Sequence, residues 1–344
     1  VSAFAQSVKH HHLNPYIPGG RKMKIKRMAA IAAAALTIMV LAGCGKSTSA
    51  AADKSQVKIG ILQLIDQQAL TAARKGFTEE LAKAGYKGKK IKLDYVNAQG
   101  DQSNLQTMCQ RLQRDKNDLN LAIATPAAQA LQKADSKTPL LFTAITDPKA
   151  AGLVTTATKP DKNATGVTDM VDVAGQINFL HKAFPKAKKV GLLFNAAEEN
   201  SQVQIKLAKA AIKKLGLTAV EKTAATTNDV EQSATALMKQ SDVVYIPTDN
   251  TMAASMPTIG KISTKENIPV VTADATMVKL AGVATVGINY EDLGRQTGKL
   301  AVQILKGKKV SDLPVEKPAK TRLVTDPTRM KQFGLTEAAL KQAE

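Results

Sequence analysis

The chain has 344 residues, of which 48 are Lys or Arg and 29 Asp or Glu, giving a formal net charge of +19 at pH 7; 44% are hydrophobic but only 3% aromatic. That length and apolar share accommodate two ordinary domains with buried cores. Two cysteines and four histidines, three of them consecutive near the start, exclude a disulfide framework and a His-rich metal site in the body of the chain.

Val1 to Lys22 lacks hydrophobic periodicity and contains His10-His11-His12; it reads as upstream sequence before a start at Met23 and is set aside from fold reasoning. Residues 23–43 read as a signal peptide. Lys24, Lys26 and Arg27 form a basic opening, and Met28 to Ala42 is an apolar run of secretory length, too short for a membrane span. It ends in Leu41-Ala42-Gly43-Cys44, which resembles a bacterial lipobox and implies lipidation of Cys44. A polar tether over 44–56 follows. Six of the basic residues and none of the acidic ones precede Cys44, leaving +13 for the remainder. The excess is mostly scattered Lys, which fits attraction to an anionic envelope and not nucleic-acid binding.

Beyond the tether, strand and helix patterns alternate. Val57 to Leu62 reads as a buried strand, and Leu70, Ala73, Phe77, Leu81 and Ala84 recur at helical spacing before Gly85. Strands are expected over 91–96, 119–124 and 140–144, with a helix over 103–113 that places Cys109 as a packing residue. The pattern then repeats. A strand over 189–194 leads to a helix marked by Val203, Leu207, Ala210, Ala211 and Leu215; strands follow at 217–221, 243–246 and 269–272, with Asn228 and Glu231 read as a helix cap. His181 reads as an exposed or capping residue near a helix end.

Regular alternation means parallel sheets with helices on both faces. Three extended pieces, 164–168, 284–289 and 320–325, interrupt the two programmes. The fold class is therefore α/β: two doubly wound, Rossmann-like lobes joined by three hinge crossovers, with 57–166 plus 290–318 as lobe 1 and 167–289 plus 319–344 as lobe 2. Ligand binds such a pair where the carboxyl ends of the strands face each other.

Four stretches carry a family resemblance: Ala124 to Leu131, Phe142 to Pro148, Pro247 to Thr251, and Gly287 to Tyr290 with Leu293 to Gln296. They resemble the substrate-binding lipoproteins of ABC importers with the type I periplasmic-binding fold, in the branch associated with tryptophan and other aromatic amino acids. The resemblance spans about 57–307. It implies an amino-acid ligand, permease and ATPase partners, a membrane attachment through Cys44, a monomer and no cofactor. The loop Asp66-Gln67-Gln68 departs from a His-Pro pair expected there.

The candidate ligand residues lie at strand ends. Thr125, Ala127 and Ala128 open a helix, where free N–H groups and the helix dipole favour a carboxylate, although Thr125 also suits plain capping. Asp147 (beside Thr146), Asp249 (between Thr248 and Asn250) and Asp274 are candidates for an ammonium group, or else caps, with Asp249 placed first. Asn195, Glu198, Asn200 and Ser201 sit at a strand-to-helix turn of the second lobe and are placed to close over a ligand, although adjacent Glu198 and Glu199 more often read as solvated charge. Phe142, Phe194 and Tyr290 read as packing. No Gly-rich phosphate loop follows Ile61 or Leu193, and no nucleophile elbow appears, so a receptor is favoured over an exported enzyme. A ligand-sensing lipoprotein for another small solute is the further alternative.

Overall fold

A computed structural model of the protein describes residues 56–344. Cys44, the signal segment, the residues before it and all but the last residue of the tether lie outside the described residues.

The first lobe is built from β1 (Val57–Gln63), α1 (Gln68–Lys83), β2 (Ile91–Asn97), α2 (Gln102–Arg114), β3 (Leu119–Ile123), α3 (Thr125–Ala134), β4 (Leu140–Ile145) and β5 (Ala164–Thr168). Its strands form one parallel sheet in the order β2-β1-β3-β4-β5. β1, β3 and β4 are buried nearly end to end because helices cover both faces, which is why they read as continuous apolar runs. β2 is an edge strand, and there Leu93 and Tyr95 stay exposed. Asp101 caps α2 by accepting from the Asn104 N–H at 2.7 Å. Cys109 is buried in that helix, and burial pushes its thiol up to about 11, as suits a packing residue.

The second lobe contains α4 (Val173–Ala183), β6 (Lys189–Phe194), α5 (Glu199–Lys214), β7 (Thr218–Thr223), α6 (Val230–Met238), β8 (Val243–Ile246), α7 (Asn250–Ala254), α8 (Met256–Glu266), β9 (Val270–Thr272), α9 (Ala275–Leu280) and β10 (Ala284–Ile288). Its parallel sheet runs β7-β6-β8-β9. The chain then enters α10 (Tyr290–Leu305), returns through β11 (Thr321–Thr325), antiparallel to β10, and closes with α11 (Pro327–Gln332) and α12 (Glu337–Ala343). α10 packs along α1 of the first lobe at very short range. A Cβ on Gly294 would overlap the Ala73 carbonyl and one on Gly76 the Glu291 carbonyl, so both positions require glycine.

Several expectations change in detail. The piece over 164–168 is a full strand of the first sheet, so the boundary expected after Gly166 falls inside β5, which pairs with β4 from Leu140↔Ala164 onward. The third crossover is bonded to this strand: Thr168 N–H donates to Glu316 O at 2.9 Å and Glu316 N–H to Gly166 O at 2.9 Å. The cap before α6 is a Thr226–Asp229 box, not an Asn228–Glu231 one, because a short 3-10 turn precedes the helix. His181 is half-buried in the last turn of α4. The buried stripe of α5 is also displaced. It runs Asn200, Ser201, Gln204, Ile205, Ala208, Ile212, while Leu207 is exposed. The polar first turn of α5 faces the cleft, and that sets the rotation of the whole helix.

Candidate functional site

The carboxyl ends of the parallel strands from both lobes converge on one cleft, as expected for open α/β sheets. β3 leads into α3 through Ala124, held at φ 87°, ψ 151°. β4 ends through Ala144 at φ 58°, where its register against β5 shifts. Non-glycine residues persist in such conformations only where surrounding structure holds them, and such strain gathers at functional sites. Both alanines face the cleft end of the first sheet.

Thr125 and Pro126 form the first turn of α3. The cap position is Ala124, which offers no side-chain acceptor, so Thr125 does no capping. Its hydroxyl is buried and without a partner among the described residues, as is that of Thr143. The two residues belong to neighbouring strand ends, where the Ala124 N–H donates to the Thr143 carbonyl at 3.2 Å. The first intrahelical bond is Ala128 N–H to Ala124 O, so the N–H groups of Thr125 and Ala127 precede it. α3 touches α5 across the cleft.

The lobes are joined by a hydrogen-bonded chain. Gln204 is oriented by accepting from the Thr248 N–H at 3.1 Å, so its amide nitrogen is the donor to the Thr248 hydroxyl at 2.5 Å. The Thr146 hydroxyl donates to Asp169 at 3.1 Å, and Thr248 and Thr146 meet at 3.3 Å. Since the single hydroxyl proton of Thr146 goes to Asp169, Thr248 must donate to Thr146. Asp169 also accepts from the Tyr290 phenol at 2.9 Å.

Four carboxylates are buried around this chain: Asp169, Glu198, Asp249 and Asp274. The ion pairs among the described residues involve other groups, chiefly on α1, α2, α5 and α10. Burial raises Asp169 to about 6 despite the Tyr290 and Thr146 donors. Burial likewise raises Asp274 to about 6, helped by the charge of Asp169 and opposed by the Thr276 donors. Asp249 is raised to about 7 by burial and by the charge of Glu198.

The expected site residues divide into four groups. Thr146, Asn200, Thr248, Asp249, Asn250 and Asp274 line the small cavity between the lobes. Thr125, Ala127 and Ala128 are buried in the first turn of α3. Asn195 and Ser201 serve Asp249 instead: the Asn195 N–H and the Ser201 hydroxyl donate to it at 2.6 and 2.7 Å. Asp147 is not brought into the cavity; it accepts from Lys149 and Ala150 N–H and fastens its own turn. Asp249 and Asp274 each cap a helix as well, α7 and α9.

Of the two readings of Glu198, the structure contradicts solvated charge. Glu198 is buried and accepts from Asn250, Thr251 and Asn200, with the Asn250 amide at 2.6 Å. Asp169, Gln204 and Tyr290 were missed. Asp169 follows a strand just as Asp147 does, but 164–168 reads as a connector in the sequence. Tyr290 reads as packing, yet it lines the cavity with Leu70, Ala144 and Met277 as the apolar part of the wall. The cavity holds about 10 Å³ of free space, against about 300–1,000 Å³ in typical small-molecule sites. The lobes are therefore closed on one another.

A family model described as ABC transporter substrate binding protein matches residues 58–344. The tyrosine-binding protein of Clostridioides difficile (strain R20291) is 36% identical over 319 residues, 90% of this chain and 92% of that protein. An ABC domain from Streptococcus pneumonia in complex with L-Trp superimposes with a TM-score of 0.80 at 36% identity, covering 83% of this chain and 98% of that one. The ligand-free, open structure of a Clostridium difficile substrate-binding protein with adhesive properties is 42% identical but has a TM-score of 0.63, with 82% and 96% covered. Greater likeness in sequence with lesser likeness in shape agrees with closed lobes in the present structure. The match over nearly all the described residues, together with these relatives and the two-lobed type I periplasmic-binding fold, establishes that the chain belongs to the ABC transporter substrate-binding protein family.

Proposed function

We propose that the chain is the lipid-anchored, extracytoplasmic receptor of an ABC importer, taking tyrosine or tryptophan in the interlobe cleft and delivering it to the permease. One observation carries the ligand class: unsatisfied donors near the strand ends of the first sheet stand apart from the unpaired acids that line the cavity. The orphan hydroxyls of Thr125 and Thr143, with the first-turn N–H groups of α3, suit a carboxylate. Asp169, which receives only neutral donors, suits the ammonium group. Leu70, Met277 and the Tyr290 ring offer an apolar wall for a flat side chain. The two relatives that bind tyrosine and L-Trp support the aromatic choice.

Entry requires the lobes to part, because the closed cavity is far too small for a phenol or indole ring. Ligand contacts to both lobes then bias the hinge toward closure. Such a closed form is what a permease would distinguish from the empty receptor.

Thermal-shift and calorimetric titration against all amino acids and a sugar panel test the proposal. A selective rise in melting temperature with tyrosine or tryptophan is expected by mass action. A response confined to other compounds, or chemical conversion of the ligand, overturns it. The anchor is tested separately: Cys44→Ala is expected to move the protein from the membrane to the soluble fraction, and continued lipid labelling of that variant would refute the assignment.

A further inference from the structure

The geometry points to a second binding site, at the hinge, for an amphiphilic anion: an apolar body with a phosphate, sulfate or carboxylate head. A groove of about 610 Å³ runs between the start of α10, the end of β10 and the third crossover before β11. None of its lining residues lines the interlobe cavity. Pro318 and Ala319 supply its accessible apolar surface, Ile288 and Leu293 line it while nearly fully buried, and the exposed Lys299, Lys320 and Arg322 supply positive charge.

The charge is available. Arg295, also in the groove, is occupied by Glu79, Glu291 and Asp292. Glu316 takes the Gln296 amide at 2.6 Å, and that amide also donates to Lys317 O. By contrast, Lys299, Lys320 and Arg322 have no ion-pair or side-chain hydrogen-bond partner among the described residues. Three unpaired cations beside an apolar wall favour an anion whose body is buried and whose head is held by charge-assisted hydrogen bonds.

Position gives such an occupant a consequence. Asn289, at the groove, caps α10 by accepting from Glu291 and Asp292 N–H, and the next residue, Tyr290, reaches Asp169 in the cleft. An occupant bridging α10 and the third crossover holds two of the three connections at their closed-state spacing. Binding at the groove and in the cleft is then coupled, and reciprocally so.

Octyl phosphate is the probe, with octanol and inorganic phosphate as its two halves, titrated calorimetrically into the protein. The expected result is one equivalent of octyl phosphate bound at least tenfold tighter than either half. Lys299→Glu with Arg322→Glu should weaken it at least tenfold, whereas the charge-matched pair Lys92→Glu with Lys265→Glu, remote from the groove, should not. Octanol binding equally well, no loss in the groove variant, or equal loss in both variants overturns the site. Co-sedimentation separates the sources of the anion. Wild-type binding to phosphatidylglycerol vesicles but not phosphatidylcholine vesicles, lost in the groove variant, identifies a lipid headgroup; octyl phosphate binding without vesicle binding identifies a soluble amphiphile.

Discussion

The phenol of Tyr290 donates to the carboxylate of Asp169 at 2.9 Å, tying the second crossover between the lobes to the end of β5 at the first. The same carboxylate receives Thr146, which is linked through Thr248 to Gln204 in the second lobe. Asp169 thus stands where hinge, cleft and both lobes meet. Asp169→Asn is expected to weaken tyrosine binding at least tenfold, about 1.4 kcal/mol. Tyr290→Phe, which leaves the charge but removes one orienting donor, should cost only a few-fold. Calorimetric affinities for the two variants check this, and equal effects from both would mean that Asp169 acts only by holding Tyr290.

Burial of uncompensated acids makes stability depend on pH in an unusual direction. Asp169 and Asp274 lie at about 6 and Asp249 at about 7 in the folded protein, whereas an unfolded aspartate titrates near 3.9. Between pH 4 and 7, roughly, the folded state binds more protons than the unfolded one, so these groups lower stability as the pH rises. For Asp169 alone the span amounts to about 3 kcal/mol. The ligand-free melting temperature is therefore expected to be several degrees lower at pH 8 than at pH 5. A ligand ammonium compensates the ionised carboxylate, so tyrosine should stabilise more at pH 8 than at pH 5. Scanning fluorimetry with and without tyrosine decides it; a ligand-free melting temperature that rises over this range rules out the titration.

The hydroxyls of Thr125 and Thr143 should show opposite effects on stability and on binding. A buried unpartnered hydroxyl costs free energy that an apolar isostere does not. Thr125→Val and Thr143→Val are thus expected to leave the melting temperature unchanged or slightly raised, while the affinity for tyrosine falls about fivefold or more. A lowered melting temperature with unchanged affinity would place both hydroxyls outside the site.

The legible parts of this molecule were those where burial follows apolar periodicity. Residues such as Ile59, Ile61, Leu121 and Leu141 lie in strands buried on both faces, and such runs announce a parallel sheet. Strand-end polar residues announced the cleft, because backbone groups and caps expose their side chains there. What stayed hidden was burial without apolarity. The inward stripe of α5 begins Asn200, Ser201, Gln204 and is held by Thr248 and Asp249, residues some 45 positions later in the chain. Glu198 looks like surface charge until Asn250 and Thr251 fold over it. Asp169 is disclosed only when Ala164–Thr168 is seen to pair with β4. In each case a polar side chain is satisfied by a partner distant in sequence, and local periodicity carries no trace of that partner.

Asp249, placed first among the ligand contacts in the sequence, is expected to behave mainly as a structural residue. Its carboxylate accepts from Asn195 N–H at 2.6 Å, Ser201 at 2.7 Å and Met252 N–H at 2.9 Å, fastening the loop after β6 to the start of α7. Asp249→Ala removes a helix cap, costing about 1 kcal/mol, and leaves the buried Asn195 N–H and Ser201 hydroxyl unpaired at about 1–3 kcal/mol each. It also relieves repulsion with Glu198, which offsets part of that cost. Asp249→Asn keeps the shape and removes the charge but points N–H groups at donors. Both variants should lower the melting temperature by several degrees without ligand, with any loss of affinity accompanying that destabilisation. Unchanged stability together with a tenfold loss of tyrosine affinity would reverse the assignment and return Asp249 to direct contact with the ligand.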